Sequence, residues 1–179
     1  IMIKYGDKIS LTMITLNEEL SVKKVIEDIK KLDERIEIEI VDSSDDRTAE
    51  IAKSLGANVF LQHPPKGYGP AMDHALKCSN RELIITVDCD DTYPLDQVDY
   101  FSKLIIEQNF DVVDGNRLAS KPKFMPIINY LANYGFALIA SLLFMVRIRD
   151  LHSGMRAYKK NIISKLPYKI DGVSLPVEL

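Results

Sequence analysis

Short apolar runs recur along the first part of the chain. Residues 9–16 (ISLTMITL) and 83–87 (LIITV) are nearly continuous apolar runs, which are typical of strands buried inside a parallel sheet. Residues 35–41 (RIEIEIV) alternate isoleucine with glutamate, which predicts a strand with one solvent-facing side or at a sheet edge. The runs NVFL and FDVVDGN predict two shorter strands, so we expect five strands in this part of the chain.

Helical periodicity fills the segments between these strands. After the first strand, apolar residues keep helical spacing at Val22, Val25, Ile26, Ile29 and Leu32. Asn17 is placed to cap this helix, and Gly56 is placed to end the next one, which follows the polar turn DSSDDRT. A third helix is expected from the HPPKGYGP loop to about Cys78, and a fourth from Pro94 to about Gln108. This alternation predicts an α/β fold, a mostly parallel sheet flanked by helices.

Polar clusters follow four of the five predicted strands, at the sheet edge where α/β proteins bind ligands. They are LNEE, DSSDD, DCDDT and DGNR. In the third cluster, Asp88, Asp90 and Asp91 would repel one another unless a cation neutralised them. Mg²⁺ and Mn²⁺ prefer oxygen ligands, and Mg²⁺ usually binds through one or two carboxylates together with substrate phosphates. The cluster therefore predicts a divalent-cation site, and the alternative is a solvated acidic turn.

Charge is distributed unevenly along the 179 residues, whose formal net charge is −3. Residues 1–116 carry 13 Lys and Arg against 23 Asp and Glu, whereas residues 117–169 carry 10 Lys and Arg against a single acid, Asp150. The acidic half suits a cation and the basic half suits anions, although two solvated surfaces would show the same imbalance. Cys78 and Cys89 predict reduced thiols in a cytosolic protein. The chain stops within a pattern at SLPVEL, so we expect it to be truncated at its carboxyl end.

Several enzyme classes fit the motifs poorly. No G-x-G-x-x-G follows the first strand and no P-loop motif occurs, which disfavours dehydrogenases and P-loop NTPases. Asp88, Asp90 and Thr92 match the Asp-x-Asp-x-Thr pattern of haloacid-dehalogenase-like phosphatases, in which the first aspartate attacks phosphorus. That motif normally follows the first strand, however, and the acidic pair it needs downstream is echoed only by Asp111 and Asp114. We therefore keep the phosphatase as a remote alternative.

Four motifs in order resemble the family-2 glycosyltransferases, and the resemblance covers nearly the whole chain. LTMITLNEE is similar to the first-strand motif of the family, EIEIVDSSDDRT to its second-strand motif and DCDDTYP to its Asp-x-Asp motif. DLHSGMRAYKK resembles the Asp-x-x-Ser-Gly-Phe-Arg motif of the branch that makes polyprenyl-phosphate sugars, such as dolichyl-phosphate mannose synthase. The segment that starts with GNRLASKPKF resembles the Gly-x-Arg, basic loop and long apolar helix of the same branch.

The resemblance implies a single GT-A domain over residues 1–179. About 1–116 would hold a UDP- or GDP-sugar donor, and about 117–179 would face the acceptor and the membrane. It assigns the nucleotide base to Asp42, the ribose to Glu18 and an Mg²⁺ or Mn²⁺ ion on the diphosphate to Asp90 with Asp88. Asp91, or else Thr92, is expected to complete the metal shell directly or through water. The whole set implied to bind the donor is Leu16, Asn17, Glu18, Asp42, Lys66 and Asp88. No nucleic-acid partner is expected.

The chain departs from the pattern of the branch at two places. Asp91 and Thr92 stand where dolichyl-phosphate mannose synthases tend to carry Leu-Gln, which leaves the third metal ligand open. His152 and Met155 stand where relatives often have Gln and Phe. Met155 keeps an apolar side chain, and His152 is expected to be a polar loop residue rather than a base.

The acceptor is expected to be polyprenyl phosphate. With Asp88 and Asp90, the resemblance implies catalytic roles for Arg117 and Arg156, whose guanidinium groups suit phosphate. The basic loop at Lys121 and Lys123 would add positive charge. A lipid phosphate is already an anionic nucleophile and needs no general base. A hydroxyl acceptor would need one, and the candidate base is then Glu178.

Residues 127–146 form an uncharged run of 20 residues, long enough to span a bilayer. Four polar or small residues interrupt it, at Asn129, Asn133, Gly135 and Ser141. Lys121 and Lys123 precede it and Arg147 and Arg149 follow it, as expected for contact with anionic headgroups. We therefore expect a membrane-facing helix on the cytoplasmic face of a membrane, with the protein peripheral or anchored by a part outside this chain. A buried core helix and a spanning helix are the alternatives.

Overall fold

The computed structural model describes residues 3–90, 93–119, 125–150 and 153–165. Its strands are β1 (Ile9–Thr15), β2 (Glu37–Asp42), β3 (Asn58–Leu61), β4 (Leu83–Thr86), β5 (Val112–Asp114) and β6 (Arg156–Lys159). Its α-helices are α1 (Val22–Leu32), α2 (Thr48–Ser54), α3 (Tyr68–Cys78), α4 (Val98–Ile106), α5 (Ile127–Phe144) and α6 (Lys160–Ile163). Short 3₁₀ turns lie at Gly6–Lys8, Leu95–Gln97 and Arg117–Ala119.

The six strands form one sheet in the order β3-β2-β1-β4-β6-β5. β1, β2, β3 and β4 pair in parallel, whereas β6 pairs antiparallel with both β4 and β5. The five predicted strands and the mostly parallel sheet are thus confirmed, and β6 was missed. Its four residues show no long apolar run, and its position depends on pairing with Leu83–Thr86, far away in sequence.

The expectation of a wet face or an edge position for β2 is wrong. β2 lies between β1 and β3, and α3 packs against both β1 and β2. Glu39 is therefore only 1% exposed, although the alternating pattern places its side chain opposite the buried isoleucines. A charged residue in an alternating strand can be covered by a helix that the strand's own sequence does not reveal.

The starts of two helices also differ from the prediction. α1 begins at Val22 with Ser21 as its N-cap residue, so Asn17 does not cap it. Asn17 instead takes a left-handed conformation with φ of 60°, which asparagine tolerates. Pro94 leads first into the 3₁₀ turn Leu95–Gln97, and α4 follows it. The end of α2 is as predicted, because Gly56 has φ of 80° just beyond the helix.

α5 is an apolar helix whose side chains are largely exposed. Of its described residues, only Ala137 and Ala140 are buried. Leu131 is 61% exposed, and Leu142 and Leu143 are each 72% exposed. The core-helix alternative is therefore wrong within the described part of the chain. The helix is long and apolar enough to cross a membrane by length and composition, and 11% of it is buried.

Candidate active site

A cavity of about 390 Å³ opens at the carboxyl edge of β1 and β4. Leu16, Glu18, Asp88 and Asp90 all line it, so the fold brings together residues that two separate sequence motifs supplied. The other lining residues are Ile14, Thr15, Ser43, Pro65, Gly67, Tyr68, Ala71 and Cys89. Its position at this edge agrees with the general site of ligand binding in α/β sheets.

Asp88 is held by a contact between two distant motifs. Tyr93 donates a hydrogen bond from its phenolic oxygen to Asp88 Oδ2 at 2.6 Å. A Cβ on Gly154 would lie 2.2 Å from Tyr93 Oη and 2.8 Å from Asp88 Oδ2, so only glycine fits there without displacing these groups. Thr86 at the end of β4 donates to the Gly154 carbonyl at 2.9 Å. The glycine of the DLHSGMR motif therefore packs directly against the first aspartate of DCDD.

Negative charge accumulates around the buried Cys89 thiol, which lies between the two aspartates in sequence. Burial is the main cause that raises the pKa of Cys89 to about 12, and the charges of Glu18, Asp90 and Asp42 raise it further. The thiol therefore stays neutral near pH 7. These carboxylates create a negative potential that attracts a cation into the cavity.

By themselves, the carboxylates of the cavity form only part of a divalent-cation site. Among the described residues, which exclude Asp91, no group of three or more His, Cys, Asp or Glu side chains is arranged to hold a metal ion. Asp88 is partly exposed and Asp90 exposed, and both face the cavity. Mg²⁺ usually binds through one or two carboxylates together with substrate phosphates. The residues therefore fit a cation that binds together with a diphosphate.

Asp42, which the resemblance assigns to the nucleotide base, lies next to the cavity but is not among the residues that line it. It is fully buried, and its Oδ1 accepts hydrogen bonds from Thr15 and Ser44 hydroxyls, both at 2.6 Å. Its oxygens do not line the cavity, whereas the next residue, Ser43, does. Asp42 therefore ties the ends of β1 and β2 together. Its role toward a donor stays a prediction, and Ser43 is a cavity residue that the sequence motifs did not single out.

Asn17 and Glu18 join the turn after β1 to the polar turn after β2. The Asn17 N–H donates to Ser44 Oγ at 2.8 Å, and its Oδ1 accepts from the Asp45 N–H at 3.0 Å. The Glu18 N–H donates to Thr48 Oγ1 at 2.9 Å. Of these two, only Glu18 lines the cavity, and its carboxylate accepts from the Ser21 hydroxyl at 2.7 Å.

The glycine loop before α3 forms another wall of the cavity. Pro65, Gly67 and Tyr68 line the cavity, and Gly67 has φ of 96°, a conformation that favours glycine. Lys66 between them is exposed and does not line the cavity. Burial raises the pKa of Tyr68 to about 12, the charge of Asp88 raises it further, and Arg156 lowers it. Tyr68 is a second cavity residue that the motifs did not reveal.

Arg156 lies in the sheet rather than in the cavity wall. It is 5% exposed, and its Nε lies 2.5 Å from Asp114 Oδ1 on the neighbouring strand β5. It also hydrogen-bonds Tyr158, whose pKa burial raises to about 12. Arg117 begins a 3₁₀ turn after β5, and its side chain is not described. The other predicted residues that lie outside the described residues are Asp91, Thr92, Lys121, Lys123, His152 and Glu178.

Comparisons with known proteins show the family of the chain. The sequence model of glycosyl transferase family 2 matches residues 10–166. The chain is 38% identical over 174 residues to a dolichyl-phosphate hexose transferase of Haloferax volcanii, covering 97% of this chain and 75% of that protein. It is 26% identical over 184 residues to a UDP-N-acetylglucosamine–dolichyl-phosphate N-acetylglucosaminyltransferase of Methanococcus voltae, covering 90% of this chain and 73% of that one.

Solved structures share the fold at lower identity. Glucosyl-3-phosphoglycerate synthase from Mycobacterium tuberculosis, in complex with Mn²⁺, UDP and glucosyl-3-phosphoglycerate, superimposes with a TM-score of 0.71 at 23% identity, over 97% of this chain and 64% of its own. A mannosyltransferase from Pyrobaculum calidifontis, in complex with GDP-Man and Mn²⁺, superimposes with a TM-score of 0.68 at 17% identity, over 99% of this chain and 51% of its own. The chain thus spans about half to two thirds of these proteins, and the predicted GT-A fold is confirmed. Because the family model matches most of the length of the chain, the chain belongs to glycosyl transferase family 2.

Proposed function

We propose that this glycosyltransferase moves a hexose from a nucleotide-diphosphate sugar to polyprenyl phosphate at a membrane surface. The observation that carries the proposal is the cavity in which Glu18, Asp88 and Asp90 converge beside the glycine loop. The 38% identity to a dolichyl-phosphate hexose transferase supports the acceptor class. The donor would be a UDP- or GDP-sugar, because proteins of this fold have been solved with UDP and with GDP-Man.

On the donor side, Glu18 would reach the ribose and the glycine loop would admit the diphosphate close to its backbone. Asp88, oriented by Tyr93, and Asp90 would hold Mg²⁺ or Mn²⁺. When bound, the ion would stabilise the charge that develops on the nucleoside-diphosphate leaving group. Leu16 and Ser43 line the same cavity and would contact the nucleoside. Asp42 would act by holding the ends of β1 and β2 that carry these residues.

On the acceptor side, the lipid phosphate would attack the anomeric carbon opposite the leaving diphosphate, in a single displacement that inverts the configuration. The C–O bond to the donor phosphate breaks as the C–O bond to the acceptor phosphate forms, and no proton needs to be removed from the nucleophile. Arg117 and the basic loop would neutralise the incoming phosphate. Arg156 would add positive charge on this side, of which the paired Asp114 carboxylate already offsets part.

Membrane association would rest on α5. Its apolar side chains include Ile128, which is 76% exposed, and Phe144, which is 69% exposed. Such exposure is costly in water and favourable in a lipid interface. The basic composition of residues 117–169 suits a surface that carries phosphate groups. We place the protein on the cytoplasmic face, where nucleotide-sugars are made.

The direct test measures donor and acceptor choice separately. Thermal unfolding is followed with a panel of UDP- and GDP-sugars, with and without Mn²⁺, because a ligand that binds only the native state raises the unfolding temperature. We expect one nucleotide class to stabilise the protein, and only in the presence of the metal ion. Transfer is then assayed to a short-chain polyprenyl phosphate and to the corresponding free alcohol. Transfer to the phosphate alone supports the proposal, and equal use of the alcohol contradicts it.

A second candidate is transfer to a sugar hydroxyl of a glycan or glycolipid. It is favoured by the burial of Arg156 against Asp114, which leaves this guanidinium poorly accessible to a phosphate. This reaction needs a general base, for which Glu178 is the candidate. Activity with a saccharide acceptor that Glu178→Gln abolishes would select it over the lipid-phosphate acceptor.

A further inference from the structure

A second cavity lies between α5 and the segment that returns from it toward β6. Its volume is about 390 Å³. Arg147 and Arg149 line one side, Tyr134 and Leu138 of α5 line another, and Asn116 closes it from the turn after β5. Among the described residues, none lines both this cavity and the donor cavity. It is therefore a separate site with two cations and an apolar wall.

Ser141 fixes the geometry of the returning segment. The Ile148 N–H donates to Ser141 Oγ at 2.9 Å, and that oxygen also lies 3.0 Å from the Ile148 carbonyl and 2.7 Å from the Ala137 carbonyl. Met145 makes the reversal possible through a left-handed conformation with φ of 53°. These hydrogen bonds between Ser141 and the Ile148 backbone, which we call the clip, hold the residues on either side of Ile148 against the carboxyl end of α5. Cations are favoured there, because the last helical carbonyls carry partial negative charge.

The arginines follow strongly exposed apolar residues at the carboxyl end of α5. Leu142 and Leu143 are each 72% exposed, and Met145 is 92% exposed. Guanidinium groups match phosphate oxygens in a bidentate geometry, and a neighbouring apolar surface accepts hydrocarbon chains. The ligand that fits both features is an amphiphile whose phosphate binds the arginines and whose chains lie along α5.

We propose that this cavity binds the phosphate of an anionic phospholipid headgroup when the protein docks on a membrane. The inference rests on the membrane location in the proposed function. Both arginines are exposed, so we expect the site to bind its ligand weakly. A phospholipid is present at high local concentration in a membrane, and it would occupy such a weak site by mass action. A substrate phosphate would have to reach the donor cavity, from which this site is separate.

Binding to vesicles tests the assignment with the chain as it is. Co-sedimentation is measured with vesicles of phosphatidylcholine, with and without phosphatidylglycerol. The variant Arg147→Gln/Arg149→Gln should lose about 30-fold in affinity for the anionic vesicles, since each basic residue near such a surface contributes about 1 kcal/mol. The matched control, Arg47→Gln/Arg81→Gln, removes two exposed arginines from the acidic half and should bind as the wild type does. Equal losses in the two variants, or equal wild-type binding to both vesicle types, would overturn the proposal.

Two further measurements test whether the lipid phosphate binds in a structured cavity and whether the two arginines belong instead to the acceptor site. Ser141→Ala keeps both arginines but removes the clip, and it should lose several-fold in affinity; full binding would mean that no built cavity is involved. Transfer to a short-chain polyprenyl phosphate in detergent should survive in Arg147→Gln/Arg149→Gln. A loss of transfer as large as the loss of vesicle binding would reassign the arginines to the acceptor. If the wild type transfers no sugar, the proposed function fails, and the vesicle result still decides the lipid site.

Discussion

The region from β1 to β4 and the region after β5 handle their apolar and charged side chains in opposite ways. In the first, α1 buries Val22, Val25 and Ile26 against the sheet, and even Glu39 is covered. In the second, α5 leaves nearly all of its apolar side chains exposed. The first region is buried in a core to which Met155 and Ala157 of the second also contribute, whereas α5 presents a large exposed apolar surface.

The two regions join along the antiparallel pairing of β4 with β6, and just beyond the end of β4 Gly154 packs against Asp88 and Tyr93. This contact means that the segment leading to β6 helps to set the position of a donor-side carboxylate. The experiments below test whether the first region carries donor binding by itself and whether the second acts through this contact.

The largest effect is expected from the carboxylates of the donor cavity. Asp90→Asn should lower sugar transfer by on the order of 10²–10³-fold, because it removes charge that holds the cation at the leaving group. The unfolding temperature without ligand should hardly change, because Asp90 is exposed. The control Asp96→Asn removes an exposed acid outside the cavity. Wild-type transfer by Asp90→Asn in the presence of a chelator would rule out the metal role.

A smaller but still large effect should follow from the contact between the regions. Gly154→Ala forces Tyr93 or Asp88 to move, and we expect transfer to fall about 10²-fold, as misplacements near 1 Å do. Adding Tyr93→Phe removes the closest clashing atom and should restore part of the activity. Gly135→Ala is the matched control, because an added Cβ there meets nothing within 4 Å. If both alanine variants lose activity equally, the contact does not position Asp88.

Arg156→Lys tests whether the second region also handles the acceptor. A lysine lacks the guanidinium Nε that lies beside Asp114 and the planar group that suits a phosphate, so we expect transfer to polyprenyl phosphate to fall about tenfold to a hundredfold. Donor affinity, measured by the metal-dependent shift in unfolding temperature, should change less. Asp114→Asn is the companion variant, since it removes the same ion pair but keeps the guanidinium. If it lowers transfer as much as Arg156→Lys does, the pair is structural and the acceptor role of Arg156 is contradicted.

The smallest effect concerns the buried carboxylate of the first region. Burial is the main cause that raises the pKa of Glu39 to about 7 from an ordinary 4.5, and Glu37 raises it further, whereas Asn58 and Lys160 lower it. The folded state thus holds a proton that the unfolded state releases, so the free energy of unfolding should fall as pH rises from about 4.5 to about 7.

Glu39→Gln should remove this fall of stability with pH. It should raise the free energy of unfolding at pH 8 by about 1–3 kcal/mol, because glutamine carries no charge whereas the ionised Glu39 carboxylate is buried with too few hydrogen-bond partners. Urea unfolding across this pH range measures the effect. Glu50→Gln, on the exposed side of α2, should leave the profile unchanged. A variant Glu39→Gln with the wild-type pH profile would show that Glu39 does not titrate in this window.

The sequence by itself determined what depends on local pattern. Apolar runs and helical periodicity gave five of the six strands and the first four helices, because side-chain period follows from backbone geometry within each element. The uncharged run after residue 126 gave α5, and motifs at the ends of the predicted strands gave the family. Leu16, Glu18, Asp88 and Asp90 meet in the cavity because parallel strands end at the same edge of a sheet.

Only the tertiary structure decided which residues from distant parts of the chain touch. β6 inserts antiparallel between β4 and β5, and this pairing brings Arg156 to Asp114 and Gly154 to Asp88. Glu39 is buried because α3 covers β2, a packing that the alternating pattern of β2 cannot reveal. These outcomes depend on contacts between residues tens of positions apart, whose energies are set by packing and not by the sequence around either partner.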